Sequence, residues 1–311
     1  MHRRRHTFCM LLFLWKGSII LTAQTPTPKE HKFFDKHIIL SVIFLILWGF
    51  FIISLPAGIL TGIVCGILGI PNPSDYQGFA MILLGCLALY IHKEWFKPEL
   101  KSLLSRGFLN TLRCCPVFLL FWLLTCLPDL IQGAYPQTFN LKVLSLSLSA
   151  GISEEIIFRG LLLSYLKRQL REEKHVPLIV FVTGAVFGLS HLGNILFGST
   201  VSATLAQTVT TTCIGIFFSA VFMRGGNIGV PVLLHTLHDI LMLSFDEADE
   251  VSAVITREAN LMDIPVMLVC IGLGAFGFFL IRKSKRREIC DMWAETWSQT
   301  TENTPAIPAE T

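Results

Sequence analysis

Gly151-Ile152-Ser153-Glu154-Glu155-Ile156-Ile157-Phe158-Arg159-Gly160-Leu161-Leu162-Leu163 sets two adjacent carboxylates and one guanidinium inside a run that is otherwise apolar. Ionised groups at bilayer depth are costly. Where they occur they pair, line a water-filled cavity or carry a function. Arg159 follows Glu155 by four residues, the spacing at which two side chains meet on one helix face. Glu155 and Arg159 therefore read as an ion pair, and Glu154 is left without a partner in its own segment.

The surroundings of this run point to a membrane protein. The 311-residue chain is 52% hydrophobic and 15% charged, against about 25% charged in a soluble domain. Apolar runs near 38–56, 77–92, 112–132, 143–166, 176–195, 203–223, 228–245 and 264–281 are long enough to cross a ~30 Å hydrocarbon core. The fold class is all-α, a polytopic membrane helical bundle of about eight transmembrane helices. The glycine-rich stretch 57–70 either extends the first span or folds back as a re-entrant piece.

Charge sets the orientation. Basic clusters precede the first span and follow the second, fourth, sixth and eighth. The alternate loops at 71–76, 133–142 and 196–202 hold Lys142 alone among them, and the loop after the seventh span is acidic. By the positive-inside rule both termini are cytoplasmic. The net charge of +3 is small and gives no reason to expect a nucleic-acid partner. Nine cysteines without a C-x-x-C spacing read as small buried hydrophobes and not as a disulfide framework.

The chain divides into three stretches. Residues 1–37 form an N-terminal cytoplasmic or interfacial segment. Its apolar stretch Cys9–Leu21, broken by Lys16, has the character of a signal-like core, an interfacial helix, or an over-long start with translation beginning at Met10 or later. Residues 38–283 form the membrane domain, with a motif core at 140–245. Residues 284–311 are expected to be a disordered cytoplasmic tail.

Three further polar groups interrupt the spans: Phe187-Gly188-Leu189-Ser190-His191, His235-Thr236-Leu237-His238-Asp239, and a softer stripe of Thr204, Gln207, Thr208, Thr211, Thr212 and Gly215. The stripe reads as close helix packing, His238 as a bystander, and His175 as a solvated loop residue. Glu154, His191, His235 and Asp239 lie on three different spans and make the inventory of a hydrolytic site. A carboxylate accepts a proton from water, a histidine positions that water, and a second polar group stabilises the oxyanion. The same side chains are also the inventory of a zinc site with an open position. Any cofactor is thus either none or a divalent metal such as zinc. Straight helices put these residues at different depths, so they meet only if helices tilt or bend.

In these residues the chain resembles the CAAX prenyl endopeptidase and bacteriocin-processing family of intramembrane proteases, the CPBP or Abi family. The motifs are Glu154-Glu155…Arg159, Phe187…His191 and His235…Asp239, in that order. The resemblance implies that Glu154 is the general base, with His191 its partner. His235 and Asp239 are implied to polarise the scissile carbonyl, Glu155 and Arg159 to be a supporting ion pair, and Phe187 to shape the pocket. The family has been described as metalloproteases, and a metal-free glutamate mechanism is an equal reading. The third motif ends here in aspartate where the pattern also allows asparagine. An ionised aspartate accepts hydrogen bonds only, so Asp239 is better suited to orient His235 than to donate to an oxyanion.

The resulting expectation is an intramembrane endopeptidase acting on a peptide or protein substrate at the bilayer. Its alternatives are a non-catalytic scaffold or bacteriocin self-immunity protein, and a proton- or ion-coupled transporter. Paired halves with matching broken helices, which mark many transporters, are not evident. Compactness and the lack of a retrieval signal lean toward a bacterial cell membrane over a eukaryotic endoplasmic reticulum.

Overall fold

The computed structural model describes residues 36–49, 53, 55–92, 107–131, 133, 135–136, 139–245, 258–259, 261 and 263–302. The expectations for residues 1–35, for the acidic stretch 246–257 and for 303–311 fall outside them. Among the described residues every regular element is helical. In chain order these are α1 (Ile38–Gly49), α2 (Leu55–Leu68), α3 (Ser74–His92), α4 (Phe108–Leu112), α5 (Phe118–Ile131) and α6 (Leu141–Ser149). Two π-helical segments follow, Ala150–Glu154 and Ile156–Leu163, and then α7 (Ser164–Gln169). The rest are α8 (Val176–Ser190), α9 (Val201–Gly225), α10 (Gly229–Ser244), α11 (Asp263–Leu280) and α12 (Lys283–Glu302), with 3₁₀ turns at Glu173–His175 and His191–Phe197.

A helix overlies each expected span. Three, Glu173–Leu196, Val201–Gly225 and Asp263–Leu280, are long and apolar enough to cross a membrane by length and composition, and several others are apolar but shorter. The glycine-rich stretch forms a helix of its own, α2, which packs along α3 after a turn at Gly69. On α2, Ala57, Thr61 and Cys65 are buried while Ile59, Ile63 and Ile67 are exposed. Bare apolar faces of this kind suit a lipid surround and not water. The eight described cysteines are all free; Cys65, Cys115, Cys126 and Cys270 are buried as expected, whereas Cys86 is exposed and Cys114, Cys213 and Cys290 are partly exposed.

α9 is the central post. Its second half, Ile214 to Met223, is buried without interruption. It packs against α8 on one side and α11 on another. Phe217 and Phe218 join Phe118, Phe121, Val221, Leu234 and Leu273 in one core cluster. The site residues are carried on the elements around this post: the π segments, α8 and α10.

Two expectations are corrected. Residues 284–311 were expected to be a disordered tail, but Lys283–Glu302 is a helix. Its apolar side is docked, with Ile289 and Trp293 buried. The Trp293 indole N–H donates to the Met223 carbonyl at 3.0 Å, and its ring meets Phe222 edge-on. Glu288 pairs with Arg224 at 2.8 Å, and that guanidinium hydrogen-bonding to the carboxylate holds Glu288 below the usual carboxylate range. The polar average of this segment hides an apolar pair four residues apart, which is the spacing of one helix face. His175, expected to be solvated, is partly buried, and its Nδ1 is buried without a hydrogen-bond partner.

The docking is testable. Removing a fully buried Trp side chain costs about 3–5 kcal/mol. Trp293→Ala is expected to lift α12 and to raise amide hydrogen exchange across it by about a hundredfold, the lower end of that range. Unchanged protection would show that the polar contacts alone hold the helix.

Candidate active site

The site is built on the unusual winding of residues 150–163. π-helical turns, with i→i+5 hydrogen bonds, are rare and concentrate at functional sites. A π turn holds more residues than an α turn, so adjacent side chains diverge by less than the about 100° of an α-helix. Glu154 and Glu155 thus reach the same histidine. Gly151 lets this happen: a Cβ there would collide with the Thr236 hydroxyl and backbone nitrogen on α10. The first π segment and α10 therefore approach backbone to backbone.

His235 is the hub. Its Nδ1 lies 2.9 Å from Glu155 Oε1. Its Nε2 faces Asp239 Oδ2 at 3.6 Å and Glu154 Oε2 at 3.9 Å. Glu155 Oε1 also accepts from Arg159 Nη1 at 2.8 Å, so that oxygen is a paired carboxylate and only accepts. The shared proton therefore sits on His235 Nδ1, and Nε2 is the nitrogen turned toward Glu154 and Asp239. Glu155 and Arg159 are fully buried, whereas Glu154 and Asp239 keep 31% and 24% of their side-chain exposure. The carboxylates thus divide into a buried one that orients the imidazole and two accessible ones that border the space in front of it.

Arg159 is held by both terminal nitrogens and by two rings, while its buried Nε has no hydrogen-bond partner. Its Nη2 donates to the Gly215 carbonyl on α9 at 3.1 Å. Its guanidinium lies 4.7 Å from the Phe187 ring centre and 5.7 Å from that of Phe218. Cation–π contacts of this kind gain strength when desolvated. Phe187 also meets His235 edge-on at 5.8 Å and His191 edge-on at 5.1 Å. It is the buried wedge between α8 and α10.

The expected residues are not all brought together in the same way. Glu154, Glu155, Arg159, His235 and Asp239 form one connected group. His191 joins it only through Phe187, by its ring contact and by Nδ1 on the Phe187 carbonyl at 3.0 Å. It makes no direct polar contact with Glu154. The expected depth mismatch of α8 is thus met by an aromatic spacer, and α8 ends at Ser190 in a 3₁₀ turn that begins with His191. His238, expected to be a bystander, makes no polar contact with the group. Its ring lies 5.6 Å from Phe121 and its Nδ1 is buried and unpaired.

Among the described residues no three His, Cys, Asp or Glu side chains are placed to hold a metal ion. Both imidazoles engage Nδ1, His235 with Glu155 and His191 with a backbone carbonyl, which leaves Nε2 as the nitrogen a metal-binding histidine would use.

The sequence reading did not anticipate three contributors. The Gly215 carbonyl and the Phe218 ring complete the cage around Arg159, and Glu155 has a second task on His235. The only advance signal for Gly215 was its place in the small-residue stripe of the sixth span. Within that stripe Thr204, Thr208 and Thr211 bond carbonyls one turn back on their own helix. Gly188 of α8 sits directly against Thr212 and Thr208, which is the close packing expected of them.

Fold and site together define a class: an α-helical membrane protein with a carboxylate–histidine centre assembled between helices. Residues 136–241 match the family model described as Type II CAAX prenyl endopeptidase Rce1-like. That stretch holds all three motifs, and the match and the relative below support the resemblance to the CPBP family of proteases. The chain is also similar to the CAAX prenyl protease 2 of Saccharomyces cerevisiae, with 26% identity over 185 residues, covering 55% of this chain. It spans about half the length of that curated relative, 53%. No solved structure matches. Similarity to a yeast protein lends no support to the expected bacterial membrane.

Proposed function

We propose that this protein is an intramembrane endopeptidase of the CAAX type, hydrolysing a peptide bond with water activated by Glu154. One observation carries the reading: two accessible carboxylates face the free nitrogen of a histidine whose other nitrogen is locked by a buried ion pair.

Glu154 takes a proton from water as the water oxygen bonds to the scissile carbonyl carbon. The carbonyl π electrons move to oxygen. His235, cationic when Nε2 is protonated and held by Glu155, faces that oxygen and stabilises its charge. Asp239, 3.6 Å from Nε2, attracts that nitrogen once it is protonated and so orients the cationic ring. Glu154 then returns the proton to the amide nitrogen as the C–N bond breaks, which balances the cycle. His191, with Nδ1 donated to the Phe187 carbonyl, keeps Nε2 for the water.

The reading is supported by the family match and by the name of the yeast relative. The substrate it suggests is a prenylated protein ending in a CAAX sequence. The test is reconstitution of the full chain in liposomes with a prenylated CAAX peptide. A shortened product by mass spectrometry is the expected result. No product from this peptide, together with identical terminal proteomes of cells carrying wild type and Glu154→Ala, would overturn the reading.

A further inference from the structure

Gln207 is the one side-chain amide on α9, and nothing in the proposed chemistry uses it. An amide within an apolar span is costly unless it is hydrogen-bonded. The threonines around it bond carbonyls of their own helix. Gln207 instead reaches another element: its Oε1 accepts from Asn194 Nδ2 at 2.9 Å. Asn194 lies in the 3₁₀ turn His191–Phe197, whose first residue is His191.

We propose that Asn194 and Gln207 are positioning residues, whose amide hydrogen bond seats this turn on α9 and so sets where His191 presents Nε2 to the attacking water. The proposal rests on the reading of the carboxylate–histidine centre as a hydrolytic site with His191 beside it.

Three observations carry it. The first is direction. A 3₁₀ helix has three residues per turn, so side chains at i and i+3 line up. His191 and Asn194 therefore leave the turn on the same side, and the bond that anchors Asn194 to α9 also keeps His191 turned inward. The second is that apolar burial does not seat the turn. Leu192, Ile195 and Leu196 are exposed, Leu196 at 85%. A Cβ added at Gly193 would meet open space. The close packing of Gly188 on Thr208 and Thr212 fixes α8 just before His191 and not beyond it. Gly198 and Ser199 bond back to the Ile195 and Asn194 carbonyls, which closes the turn on itself without tying it to α9. The third is the partner His191 does have. Its Nδ1 bonds the Phe187 carbonyl of its own helix at 3.0 Å, so the ring moves with the end of α8. Its place relative to Glu154 is then set by how the turn sits on α9.

An interhelical amide bond also serves as plain packing glue in membranes, and the test separates the two roles. It uses the full chain in liposomes with the prenylated CAAX peptide. Gln207→Leu removes the bond and leaves a good helix former on an apolar helix; Asn194→Leu removes it from the other end. Each is expected to lower kcat at least about tenfold with KM within about twofold, since a misplacement of about 1 Å can cost a hundredfold. Diethyl pyrocarbonate modification, read by mass spectrometry, follows the histidines without any need of turnover. In both variants His191 is expected to react at least about threefold faster than in wild type, with the buried His235 unchanged. A kcat within about twofold of wild type in Gln207→Leu overturns the proposal. Faster modification of both histidines marks general loosening and overturns it too, as does no change at His191. Failure of the hydrolytic reading shows separately, as full cleavage by Glu154→Ala.

Discussion

Glu154→Gln is expected to lower kcat/KM by about 10²–10⁴-fold, the range a positioned general base contributes. The folded protein should be nearly unaffected. Glu154 keeps 31% of its side-chain exposure, and the His235 Nε2 it faces is 3.9 Å away, beyond hydrogen-bond length. Removing its charge breaks no short contact and leaves no buried partner stranded. Glutamine preserves size and loses only basicity, so a large kinetic loss at constant stability isolates the proton-accepting role. The measurement pairs cleavage of a prenylated peptide with thermal unfolding of the same preparation in detergent. Activity within a few-fold of wild type would remove Glu154 from the mechanism and favour a non-catalytic protein.

How far this site was legible beforehand follows from which interactions are local in sequence. The Glu155–Arg159 pair is an i,i+4 contact, and the 2.8 Å bridge is found where that spacing puts it. His235 and Asp239 are likewise four apart and face each other at 3.6 Å. What could not be read is anything set by a helix's departure from ideal winding. Treated as an α-helix, residues 150–163 send Glu154 and Glu155 in different directions. The π winding turns both to His235 and makes Glu155 an orienting group as well as a counter-ion. His191 shows the opposite limit. Its place in a motif suggested a direct partnership with Glu154, but helix packing at Gly188 and the Phe187 ring hold it one aromatic ring away. The docked α12 was missed because a highly charged segment lowers the mean hydropathy, while two buried side chains are enough to seat a helix.

The largest stability effect is expected from Arg159→Met. Breaking a buried ion pair by removing one partner costs about 3–5 kcal/mol, since the remaining charge stays desolvated and unpaired. Here Glu155 would keep only His235 Nδ1–H, and its Oε2 already lacks a partner. The Gly215 carbonyl would lose its Arg159 donor as well. Methionine fills much of the arginine volume and suits the space between Phe187 and Phe218, so the loss reads as electrostatic and not as a cavity. Glu155→Gln alone leaves a buried guanidinium and is expected to cost a similar amount. The double variant removes both charges together, and the two losses should not add: its cost should fall below their sum by at least about 1 kcal/mol, the signature of contacting residues. Unfolding in detergent measures all three. Activity separates the two tasks of Glu155. In the double variant the glutamine can still accept from His235 Nδ1–H but no longer stabilises a cationic imidazole. Recovery of stability without recovery of turnover is therefore the expected pattern. Strict additivity, or full turnover in the double variant, would mean that the ion pair holds the helix and has no hold on His235.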